Sequence, residues 1–324
     1  MAKECNVKHI TTMKHFLDLE DITDVQELIE EAISLKKNPF EHEHLGKHKT
    51  IGMLFFNSSL RTRLSTQKAA QNLGMKTVVM NLNSEGWALE FEDGSIMNGN
   101  KAEHIKEAAA VVSQFVEIVA VRAFPGLTDR EKDEQEQILK SFQKYASVPV
   151  VNMESATAHP LQALTDAITI TEFQQKKRPK VVLSWAPHPK ALPHAVPNSF
   201  TKMMQLIDVD FVITHPKGYE LDLKITKDSK IEYDQEEALK DADFVYSKNW
   251  SSYKNYGKVE STDPNWMMTL EKLGKARFMH CLPVRRNMVV ADEVLDSEQS
   301  IVIQQAGNRT YAAQVVLKRI LENN

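Results

Sequence analysis

Short apolar segments alternate with helical patterns along most of the chain, and this alternation restricts the possible folds most strongly. The apolar segments are rich in β-branched residues and bounded by polar turns, which is typical of strands buried on both faces. They occupy residues 51–56, 77–80, 117–121, 148–153, 181–186, 210–214, 243–247, 278–282 and 300–303. Helical patterns occupy 62–73, 103–115, 130–146, 161–176, 195–207 and 307–321. Strands that alternate with helices predict an α/β fold with parallel sheets.

An earlier helix is predicted over residues 23–37. Thr23 precedes Gln26 by three residues, which is the spacing of a capping box. One helical face then carries the apolar residues Val25, Leu28, Ile29 and Ala32.

The length of 324 residues predicts two lobes, since single cores rarely grow beyond about 250–300 residues. Four apolar segments precede residue 153 and five follow it, so we place the boundary near residues 150–155. The helix at 161–176 would connect the lobes. We therefore expect two doubly wound lobes, each with a parallel sheet, and an active site in the cleft between them. Irregular stretches at 84–101 and 249–266 are predicted to be functional loops.

Composition and charge exclude several classes of protein. A net charge of −4 and no basic patch argue against nucleic-acid binding. The two cysteines, Cys5 and Cys281, form no CxxC spacing, which argues against a disulfide framework or a zinc site. No run of about 18 apolar residues and no signal-peptide pattern is present, so we expect a cytoplasmic protein without a membrane segment.

Ligands of parallel sheets bind beyond the carboxyl ends of the strands, and the residue types there are informative. The first apolar segment is followed by Asn57, Ser58, Ser59, Leu60, Arg61, Thr62 and Arg63, where a helix begins. Hydroxyls, arginines and free N–H groups at a helix N-terminus suit a phosphate. The alternative is a simple helix cap with solvated arginines.

Polar groups also follow the next two buried segments of the first half. Arg122 comes after 117–121, while Glu154, His159 and Gln162 come after 148–153. Together with Arg61, these residues could bind a phosphate and polarise a neighbouring carbonyl group.

The second half places further cations at strand ends. They are His188, Lys248, Arg285 and Arg286, which suit a substrate with carboxylates. A solvated turn is the alternative for the two arginines. Cys281 follows an apolar segment and is interpreted as buried packing rather than as a nucleophile.

Three segments together resemble the aspartate and ornithine carbamoyltransferases: FNSSLRTR at 56–63, HPLQ at 159–162 and HCLPVRRN at 280–287. Their order and spacing cover nearly the whole chain. The resemblance implies a carbamoyl phosphate-binding domain at 1–152, an acylated-ornithine-binding domain at 153–305, and a C-terminal helix at 306–324 that packs back on the first domain.

The resemblance also implies residue roles. The carbamoyl phosphate site would comprise Ser59, Leu60, Arg61, Thr62, Arg122, His159, Gln162, Cys281, Leu282 and Arg309. A neutral amine would attack the carbonyl carbon, and the oxyanion would be held by the catalytic residues Arg122, His159 and Thr62. Positioning and electrostatics would supply the catalysis, so no metal or organic cofactor is expected. A homotrimer with active sites shared between subunits is implied.

Departures from the family pattern concern the second substrate. Ornithine enzymes carry an Asp and a Ser-Met-Gly loop that hold the free α-amino group, whereas Lys248 here would repel an α-ammonium. The chain instead resembles the branch that acts on Nα-acylated ornithine, and this implies a site made of Trp87, Ala102, Glu154, His188, Lys248 and Arg285.

The acyl group is expected to be succinyl, with acetyl as the alternative. Acetyl-specific relatives carry a glutamate at the place of Ala102 and a lysine where this chain has Val289. A small neutral residue at position 102 neither repels the carboxylate of a succinyl group nor fills its space.

Two other hypotheses compete with a carbamoyltransferase. A non-catalytic binding paralogue would have lost at least one of Arg61, Thr62, Arg122, His159 and Gln162, and all are present. A nucleotide-binding enzyme would carry GxGxxG or GxxxxGK[ST] after its first strand, and neither motif occurs.

Overall fold

A computed structural model describes residues 13–323, so Cys5 lies outside the described residues. The strands are β1 (Thr50–Phe55), β2 (Lys76–Asn81), β3 (Leu89–Glu90), β4 (Glu103–His104), β5 (Ile118–Arg122), β6 (Val150–Glu154), β7 (Lys180–Trp185), β8 (Asp210–Thr214), β9 (Lys230–Glu232), β10 (Phe244–Lys248) and β11 (Arg277–Met279).

The α-helices are α1 (Val25–Lys37), α2 (Arg61–Asn72), α3 (Leu82–Glu85), α4 (Ile105–Val112), α5 (Arg130–Glu134), α6 (Gln137–Tyr145), α7 (Pro160–Phe173), α8 (Ala195–Met204), α9 (Leu223–Thr226), α10 (Gln235–Leu239), α11 (Leu270–Leu273), α12 (Asp292–Leu295) and α13 (Val302–Glu322). Short 3₁₀ helices occupy Leu19–Asp21, Glu43–Gly46 and Pro264–Trp266. Within residues 13–323, no helix is long and apolar enough to span a membrane.

Nine strands form two parallel sheets, one in each lobe, and this confirms the predicted fold class. The short strands β3 and β4 form a separate parallel pair. The first sheet has the order β2-β1-β5-β6, and the second has the order β11-β10-β7-β8-β9. In each sheet the first strand along the chain, β1 or β7, is an interior strand, and later strands are added on both sides of it. The order therefore reverses between β1 and β5 in one sheet and between β7 and β10 in the other. Crevices at such reversal points are where ligands bind in doubly wound folds.

The predicted strand at 300–303 is wrong. Only an isolated bridge joins Ser300 to Phe278, and α13 begins at Val302. Three apolar residues in a row do not distinguish a strand from the start of a buried helix. The fifth strand of the second sheet is instead β9, whose sequence KIE carries too few apolar residues to be recognised.

Three other local predictions also need correction. Helix α1 is capped by Asp24, whose carboxylate accepts from Glu27 N–H, and not by Thr23. Strand β2 is half exposed rather than fully buried, because it lies at the edge of its sheet. The helix predicted over 103–115 is shorter, since residues 103–104 form β4.

Two helices hold the lobes together. Helix α7 follows β6, is buried over its first eleven residues, and packs against α1, α8 and α13. Helix α13 packs against α1, α2 and α7. Its outer turns are fixed by ion pairs that Lys318 and Arg319 make with Glu31 of α1. The last helix of the chain is therefore inserted among helices of its first half.

A loop of the second lobe also touches the first lobe directly. The hydroxyl of Tyr256 donates to the Asp133 carboxylate at 3.0 Å. Beside it, Gly257 has φ +73°, and an added Cβ would lie 1.8 Å from the carbonyl oxygen of Leu127. The two backbones therefore approach each other as closely as only glycine permits.

Gly257→Ala is predicted to destabilise the protein more than Gly218→Ala. Both glycines have positive φ, so both variants carry the backbone strain of about 1–2 kcal/mol. Gly218 has open space around its Cβ position, whereas Gly257 faces the Leu127 carbonyl. The difference should exceed about 1 kcal/mol in urea unfolding. Equal losses in the two variants would show that the lobes adjust to the added methyl group.

Candidate active site

A cavity of about 1390 Å³ lies between the lobes, at the carboxyl ends of both sheets. The first lobe lines it with the end of β1, the segment that follows to Arg63, and residues 81, 83, 84, 122, 124, 154 and 159. The second lobe contributes residues 188, 192, 193, 196, 248 and 281–285, and α13 contributes Arg309. Both reversal points of strand order thus open into one space.

Arg122 connects three neighbouring strand ends of the first lobe. Its Nη1 donates to the backbone oxygens of Asn57 and Ser58, at 3.0 and 2.7 Å, in the segment after β1. Its Nη2 donates to the Glu154 carboxylate at 3.1 Å, at the end of β6. The guanidinium of a buried arginine therefore fixes the segment in which α2 begins.

Glu154 and His159 form the other wall of this part of the cavity. Nε2 of His159 lies 3.4 Å from Oε2 of Glu154, and both side chains are buried. Burial, together with Arg309 and Arg122, lowers the pKa of His159 well below its ordinary value. Burial also raises the pKa of Glu154, although Arg122, Arg309 and Lys248 oppose this shift. His159 is therefore a neutral imidazole near neutral pH and acts as a hydrogen-bonding group rather than as a charge.

Arg309 reaches the cavity from α13. Its Nη2 donates to the Thr62 hydroxyl at 2.7 Å, and its Nη1 donates to the side-chain oxygen of Gln162. Burial lowers the pKa of the Arg309 guanidinium from its ordinary value. Gln162 does not line the cavity itself and contacts it through Arg309. The first turn of α2 is thereby fixed to α7 and α13.

The cavity carries a strong excess of positive charge. Six of its lining residues are arginine or lysine, namely Arg61, Arg63, Arg122, Lys248, Arg285 and Arg309, and one, Glu154, is acidic. Four buried nitrogen atoms of lining residues also have no hydrogen-bond partner within residues 13–323: Nε of Arg61, Arg122 and Arg309, and Nδ1 of His159. Buried polar atoms are normally paired, and three of these four are N–H groups of guanidinium cations, so this arrangement is typical of a site for an anionic ligand.

The second lobe presents its basic groups opposite this site. Lys248 ends β10, His188 follows β7, and Arg285 donates through Nε to His188 Nε2 at 3.2 Å. Burial lowers the pKa of His188. Arg286 instead pairs with Asp292 and Asp296 outside the cavity, so the solvated-turn interpretation holds for this arginine. Cys281 is buried beside the cavity.

Family comparisons agree with this geometry. The carbamoyl phosphate-binding domain of aspartate/ornithine carbamoyltransferase matches residues 14–172, and the Asp/Orn-binding domain of the same family matches residues 194–320. The chain belongs to the aspartate/ornithine carbamoyltransferase family. The resemblance inferred from FNSSLRTR, HPLQ and HCLPVRRN is therefore confirmed.

Relatives within the family are similar over nearly their whole length. An N-succinylornithine carbamoyltransferase of Bacteroides fragilis is 51% identical, with 96% of this chain and 99% of that protein covered. An N-acetylornithine carbamoyltransferase of Xanthomonas axonopodis pv. citri is 34% identical, with 94% of this chain and 96% of that protein covered.

A solved structure of a family member is also similar. It is an N-acetyl-L-ornithine transcarbamylase variant, with a glutamate replaced by valine, in complex with carbamyl phosphate and N-succinyl-L-norvaline. The TM-score is 0.88 and the sequence identity is 34%, and 94% of this chain and 98% of that chain are covered.

Two residues of the expected acylornithine site do not line the cavity of the single carbamoyltransferase chain. Trp87 is 61% exposed, and its Nε1 donates to Glu103 at 2.8 Å. Ala102 lies in the same loop, where its N–H donates to the Ala88 carbonyl. The other four expected residues, Glu154, His188, Lys248 and Arg285, line the cavity.

The sequence analysis did not predict the structural role of Glu136. The helix predicted over 130–146 is interrupted, since Glu136 has φ +53° between α5 and α6. Its carboxylate accepts from the Ser155 hydroxyl at 2.7 Å, and from the N–H and hydroxyl of Thr157 at 2.7 and 2.6 Å. It therefore fixes the turn between Glu154 and His159. A continuous helical pattern concealed this role, and no motif marks it.

Proposed function

We propose that the chain transfers the carbamoyl group of carbamoyl phosphate to the side-chain amine of N-succinyl-L-ornithine, giving N-succinyl-L-citrulline and phosphate, in arginine biosynthesis. N-acetyl-L-ornithine is the alternative acceptor. The observation that carries the proposal is the basic cavity with buried, unpaired donors, into which Arg61, Arg122, His159 and Arg309 converge. The names of the relatives at 51% identity support the choice of acceptor.

The proposed site for carbamoyl phosphate lies at the N-terminus of α2. Ser59, Leu60, Arg61 and Thr62 would hold the phosphate, because free N–H groups and cations both favour a phosphate there. Arg122, His159, Gln162, Cys281, Leu282 and Arg309 would complete the pocket. Gln162 would act through Arg309, which it contacts.

In the proposed reaction, the neutral amine attacks the carbonyl carbon and forms a new C–N bond. The carbonyl oxygen becomes an oxyanion that Arg122, His159 and Thr62 stabilise as donors. A neutral His159 retains one ring N–H, which can donate a hydrogen bond to the oxyanion. Collapse of the intermediate breaks the bond from carbon to the phosphate oxygen, and the departing phosphate accepts the amine proton. The chain's own contribution is positioning and electrostatic stabilisation.

A substrate with two carboxylates suits the second-lobe half of the cavity. Lys248, His188 and Arg285 would bind the carboxylates, and Glu154 and Trp87 would contact the remainder of the acylated amino acid. Acylation removes the α-ammonium charge, which Lys248 would otherwise repel. A succinyl compound is bound in the acetylornithine relative whose glutamate is replaced by valine, which supports a small neutral residue such as Ala102 as the feature that admits succinyl.

Arg122→Ala and His159→Ala are each predicted to lower kcat at least about a hundredfold, as expected for loss of an oxyanion donor. The measurement is phosphate release from carbamoyl phosphate with N-succinylornithine as acceptor, with folding checked by circular dichroism. Arg286→Ala is the matched control, because this arginine follows Arg285 in sequence but forms its ion pairs outside the cavity. Unchanged turnover in Arg122→Ala or His159→Ala would remove that residue from the proposed site.

Acceptor choice is tested with ornithine, N-acetylornithine and N-succinylornithine in the same assay. We expect the highest kcat/KM with the succinyl compound, and Ala102→Glu should move the preference toward the acetyl compound by charge repulsion and lost space. Ala102→Gln separates the two causes, since it fills space without charge. A preference of the unmodified protein for N-acetylornithine would refute the succinyl assignment alone. No transfer to any acceptor would favour the non-catalytic paralogue.

We further propose a cytoplasmic homotrimer whose active sites are shared. The predicted boundary between residues 1–152 and 153–305 falls inside β6, so the carbamoyl phosphate-binding domain would extend at least to Glu154. The acylornithine-binding domain would follow to residue 305, and residues 306–324 would form the helix that completes the first domain. Trp87 and Ala102 lie outside the cavity of their own chain, and a neighbouring subunit is the partner whose site they would complete. Two large apolar side chains of this loop, Ile96 and Met97, are exposed and support such an interface.

Mixing two variants tests the shared site, since each lacks a side chain that the proposed site requires and is therefore expected to lose activity. Trp87→Ala and Arg122→Ala subunits, unfolded together and reassembled, should recover activity, because about one site in four then receives both native residues. A mixture of Arg122→Ala with His159→Ala is the control and should stay inactive, since both residues belong to one chain's part of the site. A fully active monomer by light scattering, or no recovery in the first mixture, would refute shared sites.

A further inference from the structure

A buried carboxylate lies beneath the cavity without lining it. Asp166 of α7 has no exposed surface, and its Oδ1 accepts hydrogen bonds from two side-chain amides. One donor is Nε2 of Gln162, at 2.7 Å on the same helix, and the other is Nε2 of Gln305, at 2.7 Å on α13. A single oxygen atom thus joins α7 to α13.

The contact fixes which way both amides face. A carboxylate oxygen only accepts, so each glutamine must turn its NH₂ group toward Asp166 and its oxygen away. The Gln162 oxygen then accepts from Nη1 of Arg309. The Gln305 oxygen accepts from the backbone N–H of His280 at 3.0 Å. If either amide rotated by half a turn, its oxygen would face the Asp166 oxygen. Its NH₂ group would then face another donor, the Arg309 guanidinium or the His280 N–H.

Two branches of hydrogen bonds thus start at Asp166, the first through Gln162 and the second through Gln305, and both end at residues of the cavity. In the first branch, Nη2 of Arg309 donates to the Thr62 hydroxyl at 2.7 Å. In the second branch, Nδ1 of His280 accepts from the backbone N–H of Leu282 at 2.8 Å. Thr62, Arg309 and Leu282 line the cavity from separate segments of the chain. The orientation of the Gln162 and Gln305 amides therefore determines where the Thr62 hydroxyl, the Arg309 guanidinium and the 280–282 backbone lie.

We propose that Asp166 is a positioning residue that orients Gln162 and Gln305, and through them sets the carbamoyl phosphate edge of the active site. The inference rests on the proposed function for the identity of the ligand. Asp166 would not touch the substrate and would act through the two glutamines.

The chemistry of Asp166 selects the informative variant. Burial raises the pKa of this carboxyl to about 7. Its role as an acceptor does not require a full negative charge, since a neutral side-chain oxygen can accept both hydrogen bonds. Asp166→Asn retains the oxygen and the shape, whereas Asp166→Leu retains approximate shape and removes the acceptor.

A purely structural link between α7 and α13 is the competing explanation, and the chain offers a matched control for it. Thr169 lies one turn further along α7, is equally buried, and accepts from Nδ2 of Asn308 on α13 at 3.0 Å. Thr169→Val therefore removes an inter-helix hydrogen bond between the same two helices. The hydroxyl of Thr169 also donates to the Thr165 carbonyl on its own helix, so its bonds lead away from Thr62 and Leu282.

The test measures the Kd of carbamoyl phosphate by calorimetry, kcat and the melting temperature for the wild type and the variants. Asp166→Leu should weaken carbamoyl phosphate binding at least about tenfold, the effect of roughly one lost buried hydrogen bond. Asp166→Asn should remain within about threefold of the wild type, and Thr169→Val should lower the melting temperature while its Kd stays within about threefold.

Three results would overturn the proposal: an unchanged Kd in Asp166→Leu, an equal loss in Asp166→Asn, or an equal loss in Thr169→Val. If Asp166→Leu does not fold, Gln305→Met breaks one branch only and must weaken carbamoyl phosphate binding for the proposal to stand. A wild-type protein that binds no carbamoyl phosphate would overturn the proposed function and this inference together. Wild-type binding that the Asp166 variants leave unchanged would overturn the inference alone.

Discussion

The buried ion pair between Arg122 and Glu154 is the interaction on which the rest of the site depends. The two residues are partners in adjacent parallel strands, so the pair is formed by the register of β5 against β6. Arg122 also binds the carbonyl oxygens after β1, and Glu154 lies beside His159. Several cations share this small volume, and a buried carboxylate among them reduces their mutual repulsion. Positive charge can then be concentrated where an anion is to bind.

Strand ends are the part of the site that the sequence predicts best. Parallel sheets place the residues after each buried segment at one edge, so the positions of Arg61, Arg122 and Lys248 follow from the alternation of strands and helices alone. The resemblance added Arg309, which no pattern of strands would place in the cavity, because it lies about 150 residues from HPLQ along the chain. Long-range helix packing brings the two together and leaves no periodic signal in the sequence.

Other features could not be predicted because local and long-range preferences differ. Glu136 lies inside a continuous helical pattern, yet its carboxylate satisfies groups of the 155–157 turn, and the helix is interrupted there. Residues 300–303 have β-branched character, but α13 begins among them and is buried against three helices. The sites of Trp87 and Ala102 depend on more than one chain in the proposed trimer, and a single sequence contains no direct information about such contacts.

The insertion of α13 among helices of the first half has a consequence for biosynthesis. A ribosome makes Thr62 well before Arg309, yet the two side chains are hydrogen-bonded partners. While the nascent chain still lacks its last helix, α1, α2 and α7 have an uncovered apolar groove, and Thr62 lacks its guanidinium partner. Folding of the first lobe during translation therefore cannot produce a finished binding pocket. The cavity is therefore complete only after α13 has been made and packed, so a chain that stops before α13 carries the FNSSLRTR segment without the Arg309 side chain that Thr62 contacts.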